Sequence, residues 1–136
     1  MNKDEVIDLI KDAGFGFLAT LEGKQPCVRP MMPYLTDEGD LLLALLSHSR
    51  TIPQIQQNPM VEICYVDRKM QFCRIRGKAK ICEEIEKKEL VWGAVPMLRQ
   101  YFTGPEDIHY KLVEITTETV EAMTPQQKTP DTLNLH

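Results

Sequence analysis

Three hydrophilic turn signals, Glu22-Gly23-Lys24, Asp37-Glu38-Gly39-Asp40 and Asp67-Arg68-Lys69, divide this chain into apolar stretches of strand length. Together they predict strands over residues 15–21, 26–34, 41–46, 60–66 and 70–81, the last interrupted at Gly77. Pro26, Pro30 and Pro33 give the second stretch the marks of an edge, a bulge or an irregular course, because proline cannot donate to a sheet ladder. Such prolines also free backbone groups to meet a ligand. Residues 110–123 read as a further strand, with a break near Thr116.

Helices fill the remaining stretches. Val6, Leu9, Ile10 and Ala13 share one helical face, Asn2 and Glu5 can cap its start, and Gly14 supplies the stop, which predicts a helix over 3–13. Thr51-Ile52-Pro53-Gln54 has the spacing of a capping box, so a helix of about two turns should start there and close at Asn58-Pro59. Residues 83–94 and 96–102 also read as helical, ended by Gly104-Pro105. The sum is a mainly β fold with short helices, a small antiparallel barrel of six or more strands, because the strands are too evenly apolar to leave one sheet face in water. The barrel should occupy residues 1–123, with a polar tail over 124–136, loose or strapped over a neighbouring subunit.

Composition narrows the function. A chain of 136 residues with 43% apolar content is one domain. Sixteen basic and twenty acidic residues leave a net charge of -4 without a basic tract, which argues against nucleic acid as a partner. The longest purely apolar run, 41–46, is far short of the roughly 20 residues of a membrane span, and the amino-terminal helix is acidic and amphipathic, unlike a signal peptide. A cytoplasmic protein is expected. Cys27, Cys64, Cys73 and Cys82 match no zinc or redox spacing and read as small buried hydrophobes, so no metal site is expected.

Arg29 lies mid-strand among Cys27, Val28, Met31 and Met32, where a guanidinium needs an anionic partner or an interface. Ser47, Ser49, Arg50 and Thr51 gather hydroxyls and a second guanidinium at a helix start, the parts of an anion site. A phosphate-bearing ligand is the expectation. His48 stands beside that stretch, and Trp92, Tyr101, Phe102 and Tyr110 cluster around the late helices, where they can plug the barrel, build a dimer contact or cover a ligand. No serine, histidine and acid arrangement is legible and no catalytic residue is assigned.

The order of these elements is similar to that of a known family. Gly-Phe-Leu-Ala-Thr (16–20), the turn with Gly23, Pro-Cys-Val-Arg-Pro-Met (26–31), the Ser/Arg/Thr cluster, Ile-Gln-Gln-Asn-Pro (55–59), Val-Glu-Ile-Cys (61–64) and Arg-Ile-Arg-Gly-Lys-Ala (74–79) resemble the pyridoxamine 5'-phosphate oxidase-like, FMN-binding split-barrel family. The resemblance implies a six-stranded split barrel, a homodimer with FMN at the subunit interface, and oxidoreductase chemistry on a small-molecule substrate or electron donor. Position by position it implies that Arg29 reaches the flavin phosphate and that Pro30 and Met31 run along the ring edge. Leu45, Leu46 and Ser47 would meet the ribityl chain and isoalloxazine, Ser49, Arg50 and Thr51 the phosphate, and Gln71, with Phe72 and Arg74, the flavin of the partner subunit. Family members usually carry a lysine in that stretch; the nearest basic residue here is Arg50, within one position of the family register, and it can pair bidentately with phosphate. The absence of a Gly-x-Gly-x-x-Gly loop favours FMN over FAD. A non-catalytic flavin or electron-transfer module, or a relative that binds haem or a deazaflavin, is the alternative.

Overall fold

Each turn signal falls where the chain reverses in the computed structural model, which describes residues 1–136. The strands are β1 (Gly16–Glu22), β2 (Gln25–Met31), β3 (Tyr34–Leu35), β4 (Leu41–Leu46), β5 (Met60–Val66), β6 (Phe72–Cys82), β7 (Tyr110–Met123) and β8 (Asp131–Leu133). The helices are α1 (Lys3–Ala13), α2 (Thr51–Gln57) and α3 (Ile85–Ala94), followed by a 3-10 turn, Pro96–Gln100. No helix is long and apolar enough to cross a membrane.

The sheet is antiparallel throughout, in the order β2-β1-β5-β6-β7-β4-β3, and β8 extends the β4 edge of β7. Six long strands build the barrel and two short ones trim it. The ends of the path, β2 and β3, do not bond to each other, which leaves the barrel split. The predicted strand 26–34 divides because Met32-Pro33 interrupts it, Pro33 having no N–H to give.

Alternation decides what faces inward. Leu18 on β1, Ile63 on β5, Ile75 on β6 and Ile115 on β7 are all within 1% of full burial in the main core, under the apolar face of α1. β4 is apolar at every position because both its faces are covered. Leu41, Leu43 and Leu45 enter the main core, while Leu42 joins Val91, Leu98, Phe102 and Tyr110 in a second core beneath α3 and the 3-10 turn. α1 has the predicted capping box: the Asn2 side chain accepts from the Glu5 N–H at 2.9 Å, and the Glu5 carboxylate accepts from the Asn2 N–H at 3.2 Å.

Three details depart from expectation. β7 does not break near Thr116; it runs unbroken, and the irregularity is a bulge opposite Arg76/Gly77 that leaves Glu118 as the extra residue. A Cβ on Gly77 would lie 2.3 Å from the Thr116 carbonyl oxygen, so only glycine lets the strands meet there. The tail is neither loose nor, within this chain, a strap reaching outward. β8 pairs with β7, Leu135 is 1% exposed in the main core, and the His136 Nε2 lies 2.9 Å from Asp40 Oδ1. Leu133 and Leu135, two apolar residues at strand spacing among polar ones, carry that docking. Finally, 96–102 closes as a single 3-10 turn in place of a second α-helix.

Candidate functional site

Arg29 stands opposite Leu18 in the β1/β2 ladder and shares the inner face of that hairpin with Cys27 and Met31. Its Nη1 donates to the Thr20 hydroxyl at 2.7 Å and to the Leu18 carbonyl oxygen at 3.3 Å, and its Nη2 donates to Gln54 Oε1 at 2.7 Å. All three partners are neutral. Burial lowers the Arg29 pKa, with the Cys27 thiol opposing and Arg50 adding to the shift, yet a guanidinium stays charged at any pH a protein survives. A half-buried positive charge held in place by neutral acceptors is poised for an anion.

The start of α2 differs from the sequence expectation. Thr51 is the first helical residue, and Arg50 precedes it in a helical conformation without a capping hydrogen bond from its own side chain. The amides are used locally: Thr51 N–H donates to Ser49 Oγ at 3.3 Å, Ile52 N–H to the Ser49 carbonyl at 3.2 Å, and Gln54 N–H to the Arg50 carbonyl at 3.4 Å. Pro53 has no N–H to offer. The first amides of α2 are thus engaged within the chain.

Gln54, read from sequence as a capping residue, is instead the buried hub of a polar network that runs out to the surface. Its Oε1 accepts from Arg29 and, at 2.6 Å, from the Thr20 hydroxyl; its Nε2 donates to Glu22 Oε2 at 2.9 Å. Glu22 in turn receives Arg50 Nη2 on both carboxylate oxygens, at 3.0 and 2.9 Å. Gln54 and Glu22 were missed, although a signal existed. Thr51, Gln54 and Ile55 fall at the i, i+3, i+4 spacing of one helical face, and all three are buried against the barrel.

Beside this network lies a cavity of about 710 Å³ between β4 and the α3/3-10 segment. Pro30, Met31, Leu45, Leu46 and Ser49 line it together with His48, so half of the expected ligand contacts meet at one apolar wall. Arg29 and Arg50 adjoin two of these residues in the chain and belong to the polar network. Thr51 is buried at the first turn of α2. The Ser47 N–H donates to the His109 carbonyl oxygen at 2.8 Å, which ties the end of β4 to the start of β7. Gln71 is not brought to the others: at the β5/β6 turn its Nε2 donates to Asp67 Oδ2 at 2.8 Å.

Of the late aromatics, Phe102 and Tyr110 stack at 5.1 Å inside the second core, whereas Tyr101 stands exposed at the cavity margin. Trp92 carries the Arg99 guanidinium 4.7 Å above its ring. Cys82, Glu84 and Glu114 also converge, within 4.8 Å of one another. Lys87 closes that group, at 3.0 Å from Glu84 and in direct contact with Glu114, and Lys80 approaches Glu114 at 3.5 Å. The carboxylates are thus already paired. Cys73 and Cys82 are buried as expected, while Cys27 and Cys64 are half-buried, and all four are free thiols.

Comparison with known proteins agrees with this architecture. General stress protein 26 of Bacillus subtilis (strain 168) is 27% identical over 140 residues, covering 98% of this chain and 96% of that protein. The crystal structure of a NimC/NimA family protein from Clostridium acetobutylicum superposes with a TM-score of 0.85 at 28% identity, over 98% of this chain and 92% of its own. A haem-binding protein from Mycobacterium smegmatis shares the fold at a TM-score of 0.80 with 15% identity, over 97% of this chain and 57% of its own. The family described as pyridoxamine 5'-phosphate oxidase like matches residues 1–129, nearly the whole chain, and the chain belongs to that family.

Proposed function

We propose that the protein is an FMN-binding flavoprotein of the cytoplasm, a homodimeric oxidoreductase that acts on a small molecule. The observation that carries this reading is Arg29: a half-buried guanidinium with neutral partners only, one residue from an apolar cavity. A ligand with a flat apolar body and a single anionic end suits that pairing of surfaces. FMN meets both demands. Pro30, Met31, Leu45 and Leu46 would hold the ring system, Ser49 would face its polar chain, and Arg29 with Arg50 would hold the phosphate. The bound flavin supplies hydride or electron transfer, and the chain supplies orientation, an apolar wall and fixed positive charge.

The outer face of the β1/β5/β6 sheet supports dimerisation. Phe15 and Phe17 pack edge to face at 5.5 Å on that surface and stay exposed, while Arg74 Nε is buried without a partner. A second copy would cover the aromatics, and it would bring Gln71, Phe72 and Arg74 toward the flavin of its neighbour.

A haem site is the second reading, favoured by one feature. His48 is the only imidazole lining the cavity, and imidazole is a common axial ligand to haem iron. The absorption spectrum of the freshly purified protein, with the mass of the ligand released on denaturation, decides between them. A flavin spectrum and the mass of FMN support the proposal. A haem spectrum overturns it, as does a protein that stays colourless when FMN is added. FMN binding without turnover for any donor and acceptor pair would reduce the function to an electron-transfer or flavin-carrier module.

A further inference from the structure

We propose that Glu22 is an internal counter-anion of this site, which competes with a bound phosphate for Arg50, and that Gln54 positions Arg29 while coupling it to Glu22. The inference rests on the phosphate reading above.

The network has one workable orientation. Arg29 offers only donors and Glu22, when ionised, only acceptors, so the Gln54 amide between them must turn Oε1 to the guanidinium and Nε2 to the carboxylate. Thr20 completes the carbonyl side at 2.6 Å, which fixes Gln54 from two directions in a buried setting. Arg29 is thereby aimed by a neutral dipole and keeps its charge available. Any carboxylate in the place of Gln54 would pair with it directly.

The other end of the network is built differently. Arg50 is 80% exposed and Glu22 50% exposed, so both side chains can swing, and a pair this open holds weakly in water. Gln54 and then Arg50 hold the Glu22 carboxyl below the usual carboxylate range, so it is ionised at neutral pH. Two guanidinium charges face one carboxylate charge here. A phosphate monoester brings nearly two negative charges and finds one of its two cationic partners already engaged. Glu22 thus competes with the ligand for Arg50 and repels it besides. Glu22 ends β1, beside the hairpin turn of Gly23 and Lys24, where its withdrawal disturbs no core contact.

The test measures dissociation constants of FMN and riboflavin by flavin fluorescence for the full chain and two variants, with a melting temperature for each. Glu22→Gln retains the shape and the hydrogen bond from Gln54 but removes the charge. It should tighten FMN about three- to fivefold, the scale of one half-exposed charge pair, while riboflavin binding stays unchanged. Gln54→Glu should weaken FMN selectively by placing a carboxylate on Arg29, and adding Glu22→Gln should not restore it. A purely structural role for either residue would move riboflavin and FMN together. Unchanged or weaker FMN binding by Glu22→Gln, in a wild-type protein that prefers FMN to riboflavin, overturns the role of Glu22 and leaves the phosphate site standing. Equal binding of riboflavin and FMN by the wild type overturns both.

Discussion

The Arg29 guanidinium lies 2.7 Å from the Thr20 hydroxyl, and these two residues, on neighbouring strands of one hairpin, place a half-buried positive charge against a neutral acceptor. A hydrogen bond from a charged donor to a desolvated phosphate contributes about 1.5–3 kcal/mol, which corresponds to roughly tenfold or more in affinity. Arg29→Ala should therefore weaken FMN binding at least about tenfold while the far-ultraviolet spectrum and melting temperature stay close to wild type. Riboflavin, which lacks the phosphate, should bind far more weakly than FMN to the wild type and equally well to both proteins. Unchanged FMN affinity in a fluorescence titration would remove Arg29 from the site.

Sequence patterning read the elements better than it read the site. β4 and β5 match their predicted spans, and α1 matches from its capping box to Gly14, because burial on one face or on two leaves a period in the residue types. The arginine in a strand was also legible, since a charge among Cys27, Val28 and Met31 violates that period. Gln54 was not. A polar residue after a proline near a helix start carries the same letters whether it caps the helix or turns inward, and only the barrel wall behind α2 decides. The tail failed for a similar reason: Leu133 and Leu135 are too few to mark a strand until β7 provides an open edge for them.

The exposed aromatics on β1 lead to a prediction about assembly. Phe17 stands opposite Cys64 on β5 with its side chain outward, beside Phe15, and water against two phenyl rings is unfavourable. Sedimentation equilibrium at micromolar concentration should give twice the 15.6 kDa mass of the chain, and Phe17→Lys should shift the population toward monomer. A wild-type mass equal to one chain would refute the dimer.

Tyr65 offers a test of the core. Its side chain is 1% exposed, its hydroxyl has no hydrogen-bond partner, and burial drives its pKa well up. A buried hydroxyl without a partner costs about 1–3 kcal/mol, so Tyr65→Phe should stabilise the fold and raise the melting temperature by several degrees. A fall of similar size would mean that the hydroxyl is bonded in solution.

Cys73 makes the alkaline limb of stability readable. The side chain is fully buried on β6, and burial, reinforced by Cys64, pushes its thiol from 9.0 up to about 12. A folded-state pKa above the unfolded one means that the unfolded chain loses its proton first, so the stability associated with the neutral thiol is intact below about pH 9 and drains away as pH climbs toward 12. Cys73→Ala removes that titration at the cost of a small cavity. Its urea midpoint should be lower than wild type at neutral pH yet fall less steeply above pH 9. Parallel alkaline slopes for the two proteins would show that Cys73 does not titrate across the unfolding transition, and that the alkaline loss belongs to other groups such as Tyr110, whose hydroxyl burial also raises to about 12.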